Sequence, residues 1–294
     1  MSLVINHNMM AMNASRNLAQ SYNELGVSTR RLSSGLRVGT AADDAAGLAI
    51  RELMRADVKS LNQGIRNAND AISMIQTADG ALGVIDEKLI RMKELATQAA
   101  TGTYNSDQRM IIDSEYQAMA SEITRIANAT DFNGIHLLNG NMSGENSAHS
   151  GSGVTSTGPV KVHFGTGNDS AEDYYYISIN TSTASALGVG LAAGNSISTQ
   201  TLAQQSLDKL QNAIVSKDKI RANLGGLQNR LENTITNLSI QAENVQASES
   251  RISDVDVATE MTEFTRNQIL TQAAVAMLSQ ANGMPRMAMQ LIGG

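Results

Sequence analysis

Residues 61–99 read LNQGIRNANDAISMIQTADGALGVIDEKLIRMKELATQA, and this stretch decides the fold. Apolar side chains fall at Leu61, Ile65, Ala68, Ile72, Ile75, Ala78, Leu82, Ile85, Leu89, Met92, Ala96 and Ala99. The steps alternate four and three, with one extra three between Ile75 and Ala78. An alternating spacing of this kind keeps one stripe on one face of a long helix, as in a coiled-coil seam, and the extra step is a stammer that overwinds it locally. A seam this long needs a partner of comparable length.

The chain supplies one. Leu207, Leu210, Ile214, Ile220, Leu224, Leu227, Leu231, Ile235, Leu238, Ala242 and Val245 hold helical spacing, interrupted at Lys217 and weakened at Gly225-Gly226, where each Gly costs about 1 kcal/mol relative to Ala. Between the two lies a shorter helical pattern over 107–129, with Ile112, Tyr116, Met119, Ile123 and Ile126 on one face and Ser106-Asp107 as its expected cap. Phe132-Asn133-Gly134 and Asn139-Gly140 mark turns. Residues 141–199 change character to Gly, Ser, Thr and Asn. Val160, Val162 and Phe164 alternate with polar residues, Tyr174–Ile179 is β-rich, and Asn168-Asp169-Ser170 lies between as a turn. The expected architecture is mainly α: a long antiparallel helical rod and a terminal coiled coil in a hairpin-shaped chain, with a small β-rich surface excursion in the middle.

Both ends are amphipathic but uncharged on their outer faces. Leu18, Tyr22, Leu25, Leu32 and Leu36 form one stripe; Leu270, Ala274, Met277, Ala281, Met284, Ala288 and Leu291 form another, and from 267 to 294 only Arg286 is charged. Such a helix is marginal alone in water. It becomes stable when another surface covers it, most simply copies of the same chain.

Composition excludes several function classes. The 294 residues contain no Trp, no Cys, two Pro, three Phe and six Tyr, against 15 Met, with a net charge of −6. Small aliphatic residues suit thin helical rods. The acidic balance and scattered basic residues argue against nucleic acid as a partner. The absence of Cys removes disulfides and thiolate metal sites. No basic segment followed by an apolar run opens the chain, so no cleaved signal peptide is expected, and no apolar run approaches the roughly 20 residues of a membrane span.

Enzyme signals are poor. His7, His136, His149 and His163 have no metal-ligand spacing. Adjacent Asp43 and Asp44 would diverge by about 100° on a helix and cannot face each other as an acid–base pair; they fit better as negative charge at the start of a helix through 45–54. Gly188-Val-Gly190-Leu-Ala-Ala-Gly194 imitates a dinucleotide loop with one residue too many and no βαβ unit around it. No enzyme, cofactor or metal is expected.

Against this background the sequence resembles bacterial flagellin. The resemblance is carried by Ile5-Asn-His-Asn8, Arg31-Leu-Ser-Ser-Gly-Leu-Arg37, Ala42-Asp-Asp-Ala-Ala-Gly-Leu-Ala-Ile50, Arg66-Asn-Ala-Asn-Asp70, Gln76-Thr-Ala-Asp-Gly-Ala-Leu82 and Phe132-Asn-Gly134. At the other end it is carried by Leu227-Gln-Asn-Arg-Leu-Glu-Asn233, Glu243-Asn244, Ser250-Arg-Ile-Ser-Asp254 and Ile269-Leu-Thr-Gln-Ala-Ala274. It covers about 1–140 and 200–294. Met284-Pro285-Arg286 departs from the Pro-Gln usual in the family, which bears on packing at the tip.

The resemblance implies a structural subunit that self-assembles into the extracellular flagellar filament for motility. It implies that 1–44 with 253–294 form a terminal coiled-coil domain lining an inner tube, that 45–140 with 200–252 form an outer-tube rod, and that 141–199 face the medium. It further implies export of the unfolded chain by the flagellar type III system, with a dedicated chaperone on the C-terminal helix. Hook–filament junction and filament cap proteins are the other implied partners. The polymerisation seam is expected at Leu18, Tyr22, Leu25, Leu270, Met277, Met284 and Leu291. Some members of the family are recognised by a Toll-like receptor, and their contact motif matches Arg91, Leu95 and Glu115. The alternative is a hook–filament junction protein, which would share parts of both ends but lack the dense matches at 31–50 and 227–254.

Overall fold

The computed structural model describes residues 7–143, 158–170, 172–190 and 195–292, with side chains described as far as 287. The described residues are organised as five helices and two small antiparallel sheets. In chain order these are α1 (Met9–Ser34), α2 (Ala45–Ala100), α3 (Ser106–Ala129), β1 (Asp131–Phe132), β2 (Ile135–His136), β3 (Val160–His163), β4 (Tyr174–Ile177), α4 (Gln200–Ser253) and α5 (Val257–Ile292). Two compact units emerge, one of residues 1–56 and 244–294 and the other of residues 57–243.

The larger unit is the rod. The stripe of α2 is its axis: Leu61, Ala68, Ile75, Ala78, Leu82, Ile85, Leu89, Met92, Ala96 and Ala99 are buried, and Ile65 and Ile72 are half-buried. Ala71, Met74 and Leu95 are buried beside them. The stripe is wider than a two-helix seam because α2 meets α3 on one flank and α4 on the other. On α4 it meets Leu210, Ala213, Ile220, Leu224, Leu231, Leu238 and Ala242; on α3, Ile112, Tyr116, Ala120, Ile123 and Ala127. Cross-links between α2 and α4 run antiparallel. The Lys93 ammonium donates to the Gln211 amide at 2.6 Å, Lys217 to Asp86 at 2.6 Å, and Arg221 to Asp79 at 2.7 Å.

The cap of α3 differs from expectation. Asn105, not Ser106-Asp107, caps it, in a reciprocal box: the Gln108 backbone N–H donates to the Asn105 side chain, and the Asn105 N–H donates to the Gln108 side chain. Two otherwise unpaired donors are satisfied at once. Phe132-Asn133-Gly134-Ile135 closes the β1–β2 hairpin. Its central residues have φ of 51° and 79°, the left-handed pair that a tight two-residue turn requires and that Asn-Gly tolerates.

The middle segment is more than a surface excursion. Val160↔Ile177 and Val162↔Tyr175 pair across β3–β4, and one face of this hairpin buries Val162, Phe164, Ile177 and Ile179 in the rod's own core. Contact with α2 is close: a Cβ on Gly64 would stand 2.0 Å from the Phe164 carbonyl oxygen. The Asn67 amide donates to the His163 carbonyl at 2.8 Å, and the Arg230 guanidinium lies 3.6 Å over the Tyr175 ring. Farther along, Ala184, Leu187, Val189 and Ile197 join the same core. The hairpin covers apolar surface on α2 that would otherwise meet water.

Candidate assembly and recognition surfaces

The smaller unit brings the two ends together. α1 and α5 pack against each other and run antiparallel, since the Asn8 amide donates to the Ala281 carbonyl at 2.7 Å while Arg31 lies 3.6 Å from Glu260 near the other end. On α1 the inward face carries half-buried Leu18, Ser21, Leu25 and Leu32 with buried Ser28. On α5 it carries buried Glu260, Asn267, Thr271 and Ala281, with half-buried Ala274 and Leu278. The intrachain face of α5 therefore mixes polar Glu260, Asn267 and Thr271 with small and apolar Ala274, Leu278 and Ala281. Leu270 and Met277 lie to the side of it, 46% and 62% exposed. Tyr22 on α1 is 53% exposed, and Met284 is half-buried. The side chain of Leu291 falls outside the described residues. Hydropathy alone could not single out Asn267 and Thr271, because a buried polar residue does not register as part of an apolar stripe.

Two short connections join these helices to α2 and α4. Gly35 ends α1 with φ 73°, its N–H bonded to the Arg31 carbonyl. The Arg37 N–H then donates to Ser253 O at 2.7 Å and the Val255 N–H to Gly35 O at 3.0 Å. Arg51, itself buried, donates to the Val38 carbonyl at 2.6 Å. The acidic pair before α2 divides its labour. Asp44 accepts from the Gly47 N–H at 2.9 Å, as a helix cap, whereas Asp43 accepts from the Thr40 N–H and hydroxyl and meets Arg30 at 2.9 Å. The Thr40 hydrogen bonds, reinforced by Arg30, hold the Asp43 carboxyl below the usual carboxylate range. Asp256 caps α5 through Ala258 N at 2.9 Å and Thr259 N at 3.3 Å, and the Thr259 bonds lower its carboxyl likewise.

On the rod, Arg91 of α2 and Glu115 of α3 are brought together. The guanidinium donates from Nε at 2.9 Å and Nη2 at 2.8 Å to one Glu115 oxygen, and from Nη1 to Glu94 at 3.0 Å. Glu115, followed by Glu94, raises the Arg91 pKa further. Leu95, one turn along α2, is only 2% exposed. It belongs to the rod's core and not to the exposed surface that carries Arg91 and Glu115.

Lys217 is the residue that interrupts the α4 stripe, and it is 2% exposed. Its ammonium is held between Asp86 at 2.6 Å and Asp218 at 2.7 Å. One turn away Arg221 grips both oxygens of Asp79, at 2.7 and 3.1 Å, and this hydrogen-bonded contact lowers the Asp79 carboxyl pKa. The interruption is thus a charged element of the seam.

None of these groups forms a catalytic constellation. Among the described residues no group of three or more His, Asp or Glu is placed to hold a metal ion. His7, His136 and His163 stand apart on α1's approach, β2 and β3; His149 lies outside the described residues, as does part of the 188–194 glycine loop. Among the described residues no helix is long and apolar enough to cross a membrane.

Comparison with known proteins agrees with this arrangement. Residues 5–143 match the bacterial flagellin N-terminal helical region, and residues 207–292 match the bacterial flagellin C-terminal helical region. The chain is 41% identical over 286 residues to Flagellin FlaB1 of Treponema pallidum, covering 95% of this chain and 96% of that one. It is 41% identical over 290 residues to a flagellin of Halalkalibacterium halodurans, covering 99% and 100%. A putative flagellar hook-associated protein from Vibrio parahaemolyticus superposes with a TM-score of 0.55 at 15% identity, over 72% of this chain and 100% of that one, a likeness of fold alone. Two helical ends that pair with each other, a three-helix rod and matches to both family regions lead to one conclusion: the chain belongs to the bacterial flagellin family, and is a structural subunit of the flagellar filament rather than an enzyme.

Proposed function

We propose that the α1–α5 pair is the main polymerisation element and that Leu18, Tyr22, Leu25, Leu270, Met277, Met284 and Leu291 form the seam on which neighbouring copies close. The observation that carries this reading is the exposure of Leu270 and Met277 beside, not within, the intrachain contact with α1. Exposed apolar side chains in regular array on a marginal helix gain most when a second copy covers them. In this reading, 1–44 with 253–294 line the inner tube, 45–140 with 200–252 form the outer tube, and 141–199 face the medium. Contacts between unlike faces of identical subunits build a helical polymer when their rotation does not close into a ring. Removing 267–294 is expected to abolish filament growth on seeds, seen by electron microscopy, while circular dichroism still reports a folded rod. Normal filaments from that chain would overturn the assignment.

Export fits the same reading. A chain without Cys and with two Pro has few covalent or isomerisation obstacles to threading unfolded through the flagellar type III channel. A chaperone that covers the apolar flank of α5 would keep it from premature assembly. Hook–filament junction and cap proteins would meet the same helical ends at the filament's termini. The subunit would then reside outside the cell.

Receptor recognition is the second use proposed for the rod. Arg91 and Glu115 form an exposed ion pair across α2 and α3, and a Toll-like receptor would read that pair, whereas Leu95 lies in the rod's core. Free subunits are expected to bind and intact filaments not to. Arg91→Ala or Glu115→Ala should weaken binding by about 1 kcal/mol or more if these contacts are central. Binding by intact filaments would reject burial of this patch in the polymer.

A further inference from the structure

The chain contains three Asn-Gly pairs, at 133–134, 139–140 and 282–283. Asn followed by Gly is the sequence most prone to intramolecular cyclisation, because the nitrogen after the Asn carries no side chain to shield it. The three are placed very differently. Asn282-Gly283 lies inside α5, where the helical backbone holds the next amide away from the side-chain carbonyl. At Asn139 the side-chain oxygen already accepts from the Asn141 N–H at 2.9 Å. The Gly140 carbonyl is taken by Ser143, whose N–H and hydroxyl donate at 3.1 and 2.6 Å, and a Cβ at Gly140 would press on Thr181 at 3.3 Å. Leu138 and Met142 on either side are buried, so this turn is locked on both sides.

Asn133 is free of these restraints. It is exposed at the tip of the β1–β2 hairpin, and among the described residues nothing hydrogen-bonds its carboxamide. Open space surrounds Gly134. The N–H that must lose its proton, that of Gly134, donates to Asp131 Oδ2 at 3.1 Å, so a carboxylate stands on the nucleophilic nitrogen before reaction.

We infer that Asn133 is a site of self-modification, converting to aspartate and isoaspartate with Asp131 as the local base. The Gly134 nitrogen gives its proton to Asp131 and attacks Asn133 Cγ, forming the new C–N bond of a five-membered succinimide. The former amide nitrogen leaves as ammonia, taking up the proton. Water then opens the ring at either carbonyl, restoring the ordinary main chain or leaving the chain routed through the side-chain carbon. The sum is the addition of water and the loss of ammonia, with no redox change. The rerouted product adds a methylene to a two-residue turn and a negative charge beside Asp131, and so unmakes the β1–β2 ladder.

The test is to hold the full soluble chain in warm, mildly alkaline buffer for days and follow each site by peptide mass spectrometry, with isoaspartate resolved by chromatography. Conversion at Asn133 should run several-fold faster than at Asn139. Asp131→Asn keeps an acceptor for the Gly134 N–H but removes the base, and should slow Asn133 several-fold while leaving Asn139 unchanged. Conversion of Asn139 as fast as Asn133, or an Asn133 rate that Asp131→Asn does not reduce, would overturn the inference.

Discussion

Lys217 shows how a single residue is tolerated where it ought not to be. An ammonium in an apolar seam loses its hydration, and only close counter-charges compensate. Here Asp86 and Asp218 lie at 2.6 and 2.7 Å. Breaking the set from one side should therefore be worse than removing it. Asp86→Ala leaves only the exposed Asp218 to face the ammonium and should destabilise the rod by up to about 3 kcal/mol, whereas Lys217→Met should be neutral or stabilising. Chemical denaturation of both variants checks the order. The neighbouring pair gives a pH dependence. The Asp79 carboxyl is lowered by its hydrogen bonds to Arg221. A carboxyl lowered on folding contributes stability above its unfolded pKa, and this is lost as pH falls through the folded value. Asp79→Asn should thus flatten the acid limb of the rod's stability profile below about pH 4 and leave the ratio of melting temperatures at neutral and mildly alkaline pH unchanged. Lys217 also marks a limit of reading from sequence. Its position in the stripe was legible, and Asp218 stands next to it, but the other partner, Asp86, is 131 residues away in sequence, and nothing local announces it.

Helices and turns were legible where periodicity or turn chemistry is local. The 61–99 stripe, the faces of α3 and α4 and the Asn133-Gly134 turn all follow from spacing. The α3 cap sits one residue earlier than expected because two reciprocal bonds to Gln108 favour Asn105, while Ser106 offers no such pairing. The flank of α5 that meets α1 was hidden for a different reason: Asn267 and Thr271 are polar, so the apolar stripe drawn through Leu270 and Met277 lies beside the intrachain contact. The glycines of the rod separate into two kinds on the same grounds. A Cβ at Gly225 or Gly226 meets nothing within 4 Å, but at Gly64 it collides with the Phe164 main chain. Gly225→Ala should stabilise the isolated subunit by up to about 1 kcal/mol through helix propensity alone. Gly64→Ala should instead force the β3–β4 hairpin off α2 and lower the melting temperature clearly. Calorimetry on the two variants, with opposite signs expected, tests whether the hairpin seat is as tight as it looks.

At the scale of the whole molecule, the question is how much of the middle segment the subunit needs. The pattern of Gly, Ser and Thr suggested a surface addition, and the family matches stop at 143 and resume at 207. Yet Val162, Phe164, Ile177 and Ile179 are buried in the rod's core, with Ala184, Leu187, Val189 and Ile197. These apolar residues are few, short and separated by polar ones, which is why composition hid their role. The segment therefore divides. The Gly158 N–H donates to the Asn141 carbonyl at 2.7 Å, so the chain on either side of 144–157 is already adjacent, and a short Gly/Ser linker can join 143 to 158 with little closure cost. That replacement should leave the melting temperature and filament yield unchanged. Replacing 158–190 should not be neutral. It uncovers Leu61 and neighbouring apolar surface on α2 and α4, and each large side chain returned to water costs about 1.5–3 kcal/mol. The second variant should melt earlier, bind an apolar dye and give fewer filaments from an equal mass of chain. Equal stability of the two deletions would show that the hairpin is only ornament on a self-sufficient rod. Loss of assembly in the 144–157 replacement, with stability intact, would instead place a subunit contact in that stretch.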